Sequence, residues 1–241
     1  ASDVYKRQVG EPDYSAPDKV IGACIDSLKR KETSYTSNWG LLELRQEIAK
    51  LFKNRYHVDY DPVDEVMVTV GVSEAIGLVM TTLLNPGDEV LIPDPAYLAY
   101  PACVSIARGK PVLVPTRAED EFKLTVEELE KKVTPRTKAI LIGYPNNPTG
   151  TVMDRKSLEE IAAFAEKHDL VVITDEIYCD LTYEGTHTCF ASLPGMKERT
   201  LTMNGFSKSY AMTGLRIGYI CGPREICLLY TSDAADDMQC V

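Results

Sequence analysis

The sequence predicts an α/β fold, a mostly parallel β-sheet with helices on both faces. Three observations predict it. Short strand-like runs alternate with segments of helical periodicity along most of the chain. Those runs are nearly continuous in apolar residues, as in strands buried on both sides. Most of them stop at glycine, proline or polar residues.

The elements follow in order. GLLELRQEIAKLF repeats apolar residues at Leu41, Leu44, Ile48 and Leu51, which predicts a helix. EVMVTVG (65–71) is a β-branched strand ending in glycine, and SEAIGLVMTTLL is a helix that Ser73 is placed to cap. DEVLIPDP (88–95) is a strand stopped by prolines, and AYLAYPACVSIA is a helix interrupted at Pro101. KPVLVPT (110–116) is a strand, and TVEELEKKV (125–133) is a helix opening on a Thr-x-x-Glu capping box. KAILIGYP (138–145) is a buried strand, and SLEEIAAFAEKHD (157–169) is a helix. LVVITDEIY (170–178), RTLTMNGFSK (199–208) and LRIGYICGP (215–223) are the remaining strands. No internal repeat or low-complexity segment interrupts the series.

Composition removes several classes of function. The 241 residues are 44% hydrophobic and 26% charged, an ordinary globular balance. A net charge of −10 without a basic stripe argues against a nucleic-acid partner. No apolar run reaches the length of a membrane span, and the start lacks a signal-peptide core. Seven cysteines without paired spacing suggest reduced thiols, hence a cytoplasmic protein. The three histidines, His57, His168 and His187, are scattered, so no metal site is expected.

Both ends read differently. SDVYKRQ and CLLYTSDAAD lack either periodicity and resemble translations of a transposase-type sequencing adaptor. Residues 1–8 and 227–241 are therefore expected to be non-native, leaving a fragment that runs from Val9 to Ile226.

In open parallel sheets, ligands sit outside the carboxyl ends of the strands. Here those ends carry Gly71-Val72-Ser73, Asn146-Asn147, Asp175 and Lys208. Each has an ordinary explanation by itself. Asp175 could cap a helix, although a carboxylate ending a buried strand is costly without a positive partner. Asn147, held extended by Pro148, could belong to a simple turn. The junction at Ser73 could hold an anion, as helix N-termini do, or nothing. Lys208 could be a surface charge and Arg216 an ion-pair partner. A Ser/Lys hydrolase would place serine three residues before the lysine, where Gly205 stands. Together the residues ask for one ligand. They offer an amine for a Schiff base, a carboxylate for a ring nitrogen and a tyrosine (Tyr178) and asparagine for a ring oxygen. A helix end and an arginine remain for a phosphate. Pyridoxal 5′-phosphate carries each matching group.

With GFSKSYAMTGLRIG in place, the chain resembles the class I/II aminotransferases of pyridoxal-phosphate fold type I. GEPD, YTSNWGLLELR, VTVGVSEA, YPNNPTG and TDEIY occur in that family's order. The resemblance implies a large cofactor-binding domain over 31–226, an N-terminal segment over 9–30, and a C-terminal small domain missing from this chain. Lys208 would carry the cofactor and shuttle the substrate α-proton. Asp175 would hold the ring nitrogen protonated, and Tyr178 and Asn147 would bond the ring oxygen. Tyr97 would stack on the ring face. Ser73, Glu74 and Arg216 would hold the phosphate, the first two through backbone N–H groups. Gly10 and Asn147 would line the substrate site, and Tyr35 would reach the phosphate of a partner subunit, implying a homodimer.

Three departures accompany the resemblance. Gly205 stands where some relatives place a phosphate-binding serine. Tyr97 stands where others have tryptophan. The substrate-carboxylate arginine belongs to the missing part, so the fragment is expected to have little activity even though its parent transfers amino groups from amino acids to 2-oxo acids. Two other functions share the fold: a β-lyase or decarboxylase, and a non-catalytic sensor domain of a transcription regulator.

Overall fold

In a computed structural model, residues 10–228 are described. The adaptor-like assignments of residues 1–8 and 229–241, and the native start at Val9, lie outside them. The described residues form one seven-stranded sheet in the order β1-β7-β6-β5-β4-β2-β3. The strands are β1 (Val66–Thr69), β2 (Glu89–Asp94), β3 (Lys110–Pro115), β4 (Thr137–Gly143), β5 (Val171–Asp175), β6 (Thr200–Gly205) and β7 (Gly218–Cys221). The pairs β2–β3, β2–β4, β4–β5 and β5–β6 are parallel, while β7 runs antiparallel to both β1 and β6. The expectation of a mostly parallel sheet therefore holds, with β7 as the exception. β3, which carries Pro111 and Pro115, lies at an edge, where a missing N–H costs no ladder bond.

Strand alternation explains the two layers. Val90, Ile92, Leu141, Ile173 and Met203 point to one face, under Ile76, Val79 and Met80 of α3 (Gly71–Leu83). Leu91, Ile140, Ile142 and Val172 point to the other, under Leu158, Ile161 and Phe164 of α6 (Arg155–Lys167). Each such side chain contributes roughly 1.5–3 kcal/mol by leaving water. A third cluster joins Ile48 and Phe52 of α2 (Leu42–Tyr56) to Val58, Tyr60, Val66 and Tyr219. The remaining helices are α1 (Asp18–Lys29), α4 (Ala99–Ile106) and α5 (Val126–Glu130). Cys227 packs with no exposed surface against the α3 side.

Several local expectations change. The buried face of α2 is Arg45, Ile48, Ala49 and Phe52; Leu41 and Leu51 are 56% and 40% exposed. Arg45 is buried there because its guanidinium donates to the carbonyls of Pro62 (2.7 Å) and Val63 (2.9 Å). Ser73 does not cap α3, which starts two residues earlier at Gly71 with no side-chain cap. Pro101 does not interrupt α4. It falls in the first turn, where the missing N–H has no intrahelical partner to lose. Thr125 caps α5 as expected, accepting the Glu128 N–H at 3.4 Å.

Candidate functional site

A cavity of about 420 Å³ lies behind β5, and a larger one of about 810 Å³ opens at the carboxyl edge of the sheet. The larger cavity gathers most of the residues singled out in the sequence. Parallel strands explain the convergence, since their carboxyl ends share one edge. β1 delivers α3, β4 delivers Asn147, β5 delivers Asp175 and β6 delivers Lys208. Arg216 arrives by the antiparallel exception, because it precedes β7 and β7 starts at that same edge.

Asp175 is 6% exposed. The Tyr100 hydroxyl donates to its Oδ2 at 2.8 Å and the Ile177 N–H to its Oδ1 at 3.2 Å. No cation bonds it among the described residues. Burial raises its carboxyl to about 6, against the downward pull of those two donors. Such a carboxylate is a receptor for a cationic N–H.

Lys208 is half-buried, and its ammonium donates to the carbonyl of Gly10. It lies 5.8 Å from the centre of the Tyr178 ring. Burial lowers its pKa; Glu11 opposes that shift and Arg216 adds to it. Thr213 Oγ1 donates to Glu11 at 2.6 Å, tying the 10–11 segment across the lysine loop. Burial raises the Tyr178 phenol, the Asp175 charge adds to this, and a hydrogen bond with Asn147 opposes it. Tyr97 is partly exposed at the cavity wall and meets Tyr100 edge-on at 5.5 Å.

The corner expected to hold a phosphate is a backbone cradle. Ser73 lies in the first turn of α3, where N–H groups lack intrahelical partners. Gly71 has φ +74°, and a Cβ there would collide with the guanidinium of Arg216. A Cβ on Gly218 would lie 2.6 Å from the Gly71 carbonyl carbon. The glycines thus let Arg216 and the helix end approach one spot. Gly205 is explained too, since a side chain there would meet the Ile217 carbonyl at 2.8 Å.

Two expected residues bring no side chain to the cavity. The Glu74 side chain turns back to accept the Val70 N–H, which leaves its backbone N–H for the expected role, and Tyr35, expected to act in a partner's site, is fully exposed. Gly10 is in place, its missing Cβ 3.9 Å from the Tyr178 hydroxyl. Sequence reasoning missed Tyr100, although it lies three residues after Tyr97, and it missed the Glu11–Thr213 contact. Contacts between residues so far apart in the chain leave no local signal.

The donor set fits pyridoxal phosphate: a buried carboxylate without a cation, a half-buried amine, a helix end and an arginine face one space. Comparison with known proteins agrees. A family model described as aminotransferase class I and II matches residues 3–235. An aromatic-amino-acid aminotransferase of Thermococcus litoralis is 48% identical over 219 residues, 90% of this chain and 56% of that protein. An aspartate aminotransferase of Pyrococcus abyssi is 47% identical over 225 residues, 93% of this chain and 58% of that one. The crystal structure of an aromatic aminotransferase from Pyrococcus horikoshii superposes with a TM-score of 0.93 at 45% identity, covering 96% of this chain and 62% of that one. The chain thus spans little more than half the length of the curated relatives it matches. On these grounds it belongs to the class I and II aminotransferases, a family dependent on pyridoxal 5′-phosphate.

Proposed function

We propose that this chain is the cofactor-binding part of an enzyme that moves an amino group from an L-amino acid to a 2-oxo acid in two half-reactions. The observation that carries the proposal is the pairing in one cavity of Asp175, buried without a cation among the described residues, and Lys208, whose amine is partly desolvated. In this reading residues 31–226 form the large domain and 9–30 its N-terminal segment.

When bound, pyridoxal phosphate supplies an electron-withdrawing ring that accepts the electron pair released at the amino acid's α-carbon. The side chains do the rest. The Asp175 carboxylate accepts the ring N–H and keeps it protonated. Tyr178 and Asn147 hold the ring oxygen, and Tyr97 covers one face. Arg216 and the N–H groups of Ser73 and Glu74 hold the phosphate. Lys208 holds the cofactor covalently, then takes and returns the α-carbon proton; its lowered pKa suits both duties. Gly10, with no side chain, leaves room for substrate beside Tyr178. The names of the relatives, aromatic amino acids in one and aspartate in another, bracket the donor.

A homodimer placing Tyr35 at a partner's phosphate is supported by its full exposure and by α1, which buries none of its residues and exposes Ile21, Ile25 and Leu28. Among the described residues no helix is long and apolar enough to cross a membrane. Six free cysteines among those residues support a cytoplasmic setting.

Titrating the purified chain with pyridoxal phosphate, beside Lys208→Ala, tests the proposal. A near-visible absorption band in the parent that is absent in the variant is expected. Arg216→Ala should keep the band and weaken affinity by about 10- to 100-fold, the worth of a charge-assisted hydrogen bond to phosphate. A folded chain without a Lys208-dependent band overturns the reading.

A further inference from the structure

Two consecutive carboxylates, Asp175 and Glu176, are both buried, at 6% and 3% exposure. They face opposite sides of the sheet. Asp175 lines the larger cavity, while Glu176 lines the smaller one behind β5. Glu176 is anchored at four points. Its Oε2 lies 2.7 Å from Nε2 of His187, and its Oε1 accepts the Phe190 N–H at 3.0 Å. Its N–H donates to the Met203 carbonyl at 2.9 Å, and its own carbonyl accepts the Cys179 N–H at 2.9 Å. Whatever fixes Glu176 therefore fixes Asp175 on one side and the turn bearing Tyr178 on the other.

We propose that His187 is a positioning residue for Asp175: it holds the Glu176 carboxylate behind the strand, and it balances there a second buried negative charge one residue from the first. The inference rests on the pyridoxal-phosphate reading of the larger cavity. Asp175 serves that reading only when ionised, and an unbalanced carboxylate next to it opposes ionisation. Burial already raises Asp175, and the Glu176 charge pushes the same way. Among the described residues His187 is the sole basic side chain within 4.0 Å of a Glu176 oxygen. The other charges nearby are committed elsewhere. Arg55 pairs with Asp180, Lys123 with Glu121 and Arg155 with Glu159. Asp154 caps α6, Tyr56 meets the His187 ring edge-on at 6.1 Å, and Glu184 lines the same smaller cavity. Buried Cys179 and Cys189 feel the Glu176 charge, which helps push their thiols up after burial.

A loop staple without electrostatic purpose would have the same geometry, so the test separates the two. His187→Gln keeps a donor for Glu176 and removes the basic group beside it. Pyridoxal-phosphate affinity at neutral pH is read from the absorption band in the full chain, with circular dichroism and thermal melting for the fold. His187→Gln should weaken the cofactor about tenfold, and adding Glu176→Gln should bring affinity back to within twofold of Glu176→Gln alone. Wild-type affinity in His187→Gln, or a double variant as weak as the single, overturns the inference and leaves a staple. Should His187→Gln not fold, the double variant against Glu176→Gln carries the test, and a tenfold loss there overturns it. Failure of the underlying reading shows separately, as a wild-type chain with no Lys208-dependent band.

Discussion

Asp175 and Glu176 are neighbours in the chain and opposites in treatment. Both are carboxylates, both lie at the end of β5, and both are more than nine-tenths buried. Glu176 has an imidazole within ion-pair distance; Asp175 has a phenol and an amide N–H. The difference teaches how to separate a structural charge from a functional one. A buried charge satisfied within its own chain consolidates the fold, whereas one left without a cation lacks a partner that a ligand can supply.

The largest effect that would break the comparison is on chemistry. In the full-length enzyme proposed above, Asp175→Ala should lower transamination by on the order of 100- to 1000-fold, as when a preorganised electrostatic group is removed from other active sites. Single-turnover reaction with an amino-acid donor measures it, and wild-type turnover would remove Asp175 from the mechanism.

The next prediction concerns pH. The Asp175 carboxyl loses its proton near 6 in the fold, against about 4 in the unfolded chain. Its folded pKa is raised, so its contribution is most favourable below pH about 4 and is lost as pH rises through about 6. The loss is roughly 3 kcal/mol in the cofactor-free chain. Urea unfolding of the parent and of Asp175→Asn across that window isolates it, because other carboxylates cancel in the difference. Glu89, held down to about 2 chiefly by a hydrogen bond from Thr134, has the opposite sign, losing stability on acidification. Parallel stability profiles in the two proteins would contradict the assignment.

A smaller effect sharpens the Asp175 side. Tyr100→Phe removes the 2.8 Å bond to the carboxylate. It should cost about 1.5–3 kcal/mol of stability with Asp175 ionised, and weaken cofactor binding about tenfold. Denaturant midpoints and the absorption titration measure the two parts.

The smallest expected change is behind the strand. The Thr174 hydroxyl is buried without a hydrogen-bond partner among the described residues. Thr174→Val should stay within about 0.5 kcal/mol of the parent and leave cofactor affinity unchanged. A loss of more than about 1 kcal/mol would show a polar contact there after all.

Much of the site was legible before folding. Lys208, Asp175, Asn147, Ser73 and Arg216 stand at strand or helix junctions, where local pattern is strongest, and their residue types match the groups of one cofactor. Tyr100 was not legible as a partner of Asp175, because nothing in AYLAYPAC says which strand end α4 will face. Nor was His187, which looks like a stray histidine until a carboxylate eleven residues earlier meets it. The α2 face differs in part from the expected one: Ile48 is buried as its spacing implies, but Arg45 goes in where Leu41 and Leu51 stay out, and only the Pro62 and Val63 carbonyls decide that.

Local chemistry alone therefore determined the order of elements, the two-sided burial of the strands and the residue types available to a ligand. These depend on periodicity and on neighbours a few positions away. Tertiary structure decided which of them meet. It set β7 antiparallel and so brought Arg216 to the lysine's edge, and among the described residues it left Asp175 without a cation while placing an imidazole against Glu176. Those outcomes depend on pairings between residues from eleven to well over a hundred positions apart, which packing of the whole sheet selects and no short window of sequence contains.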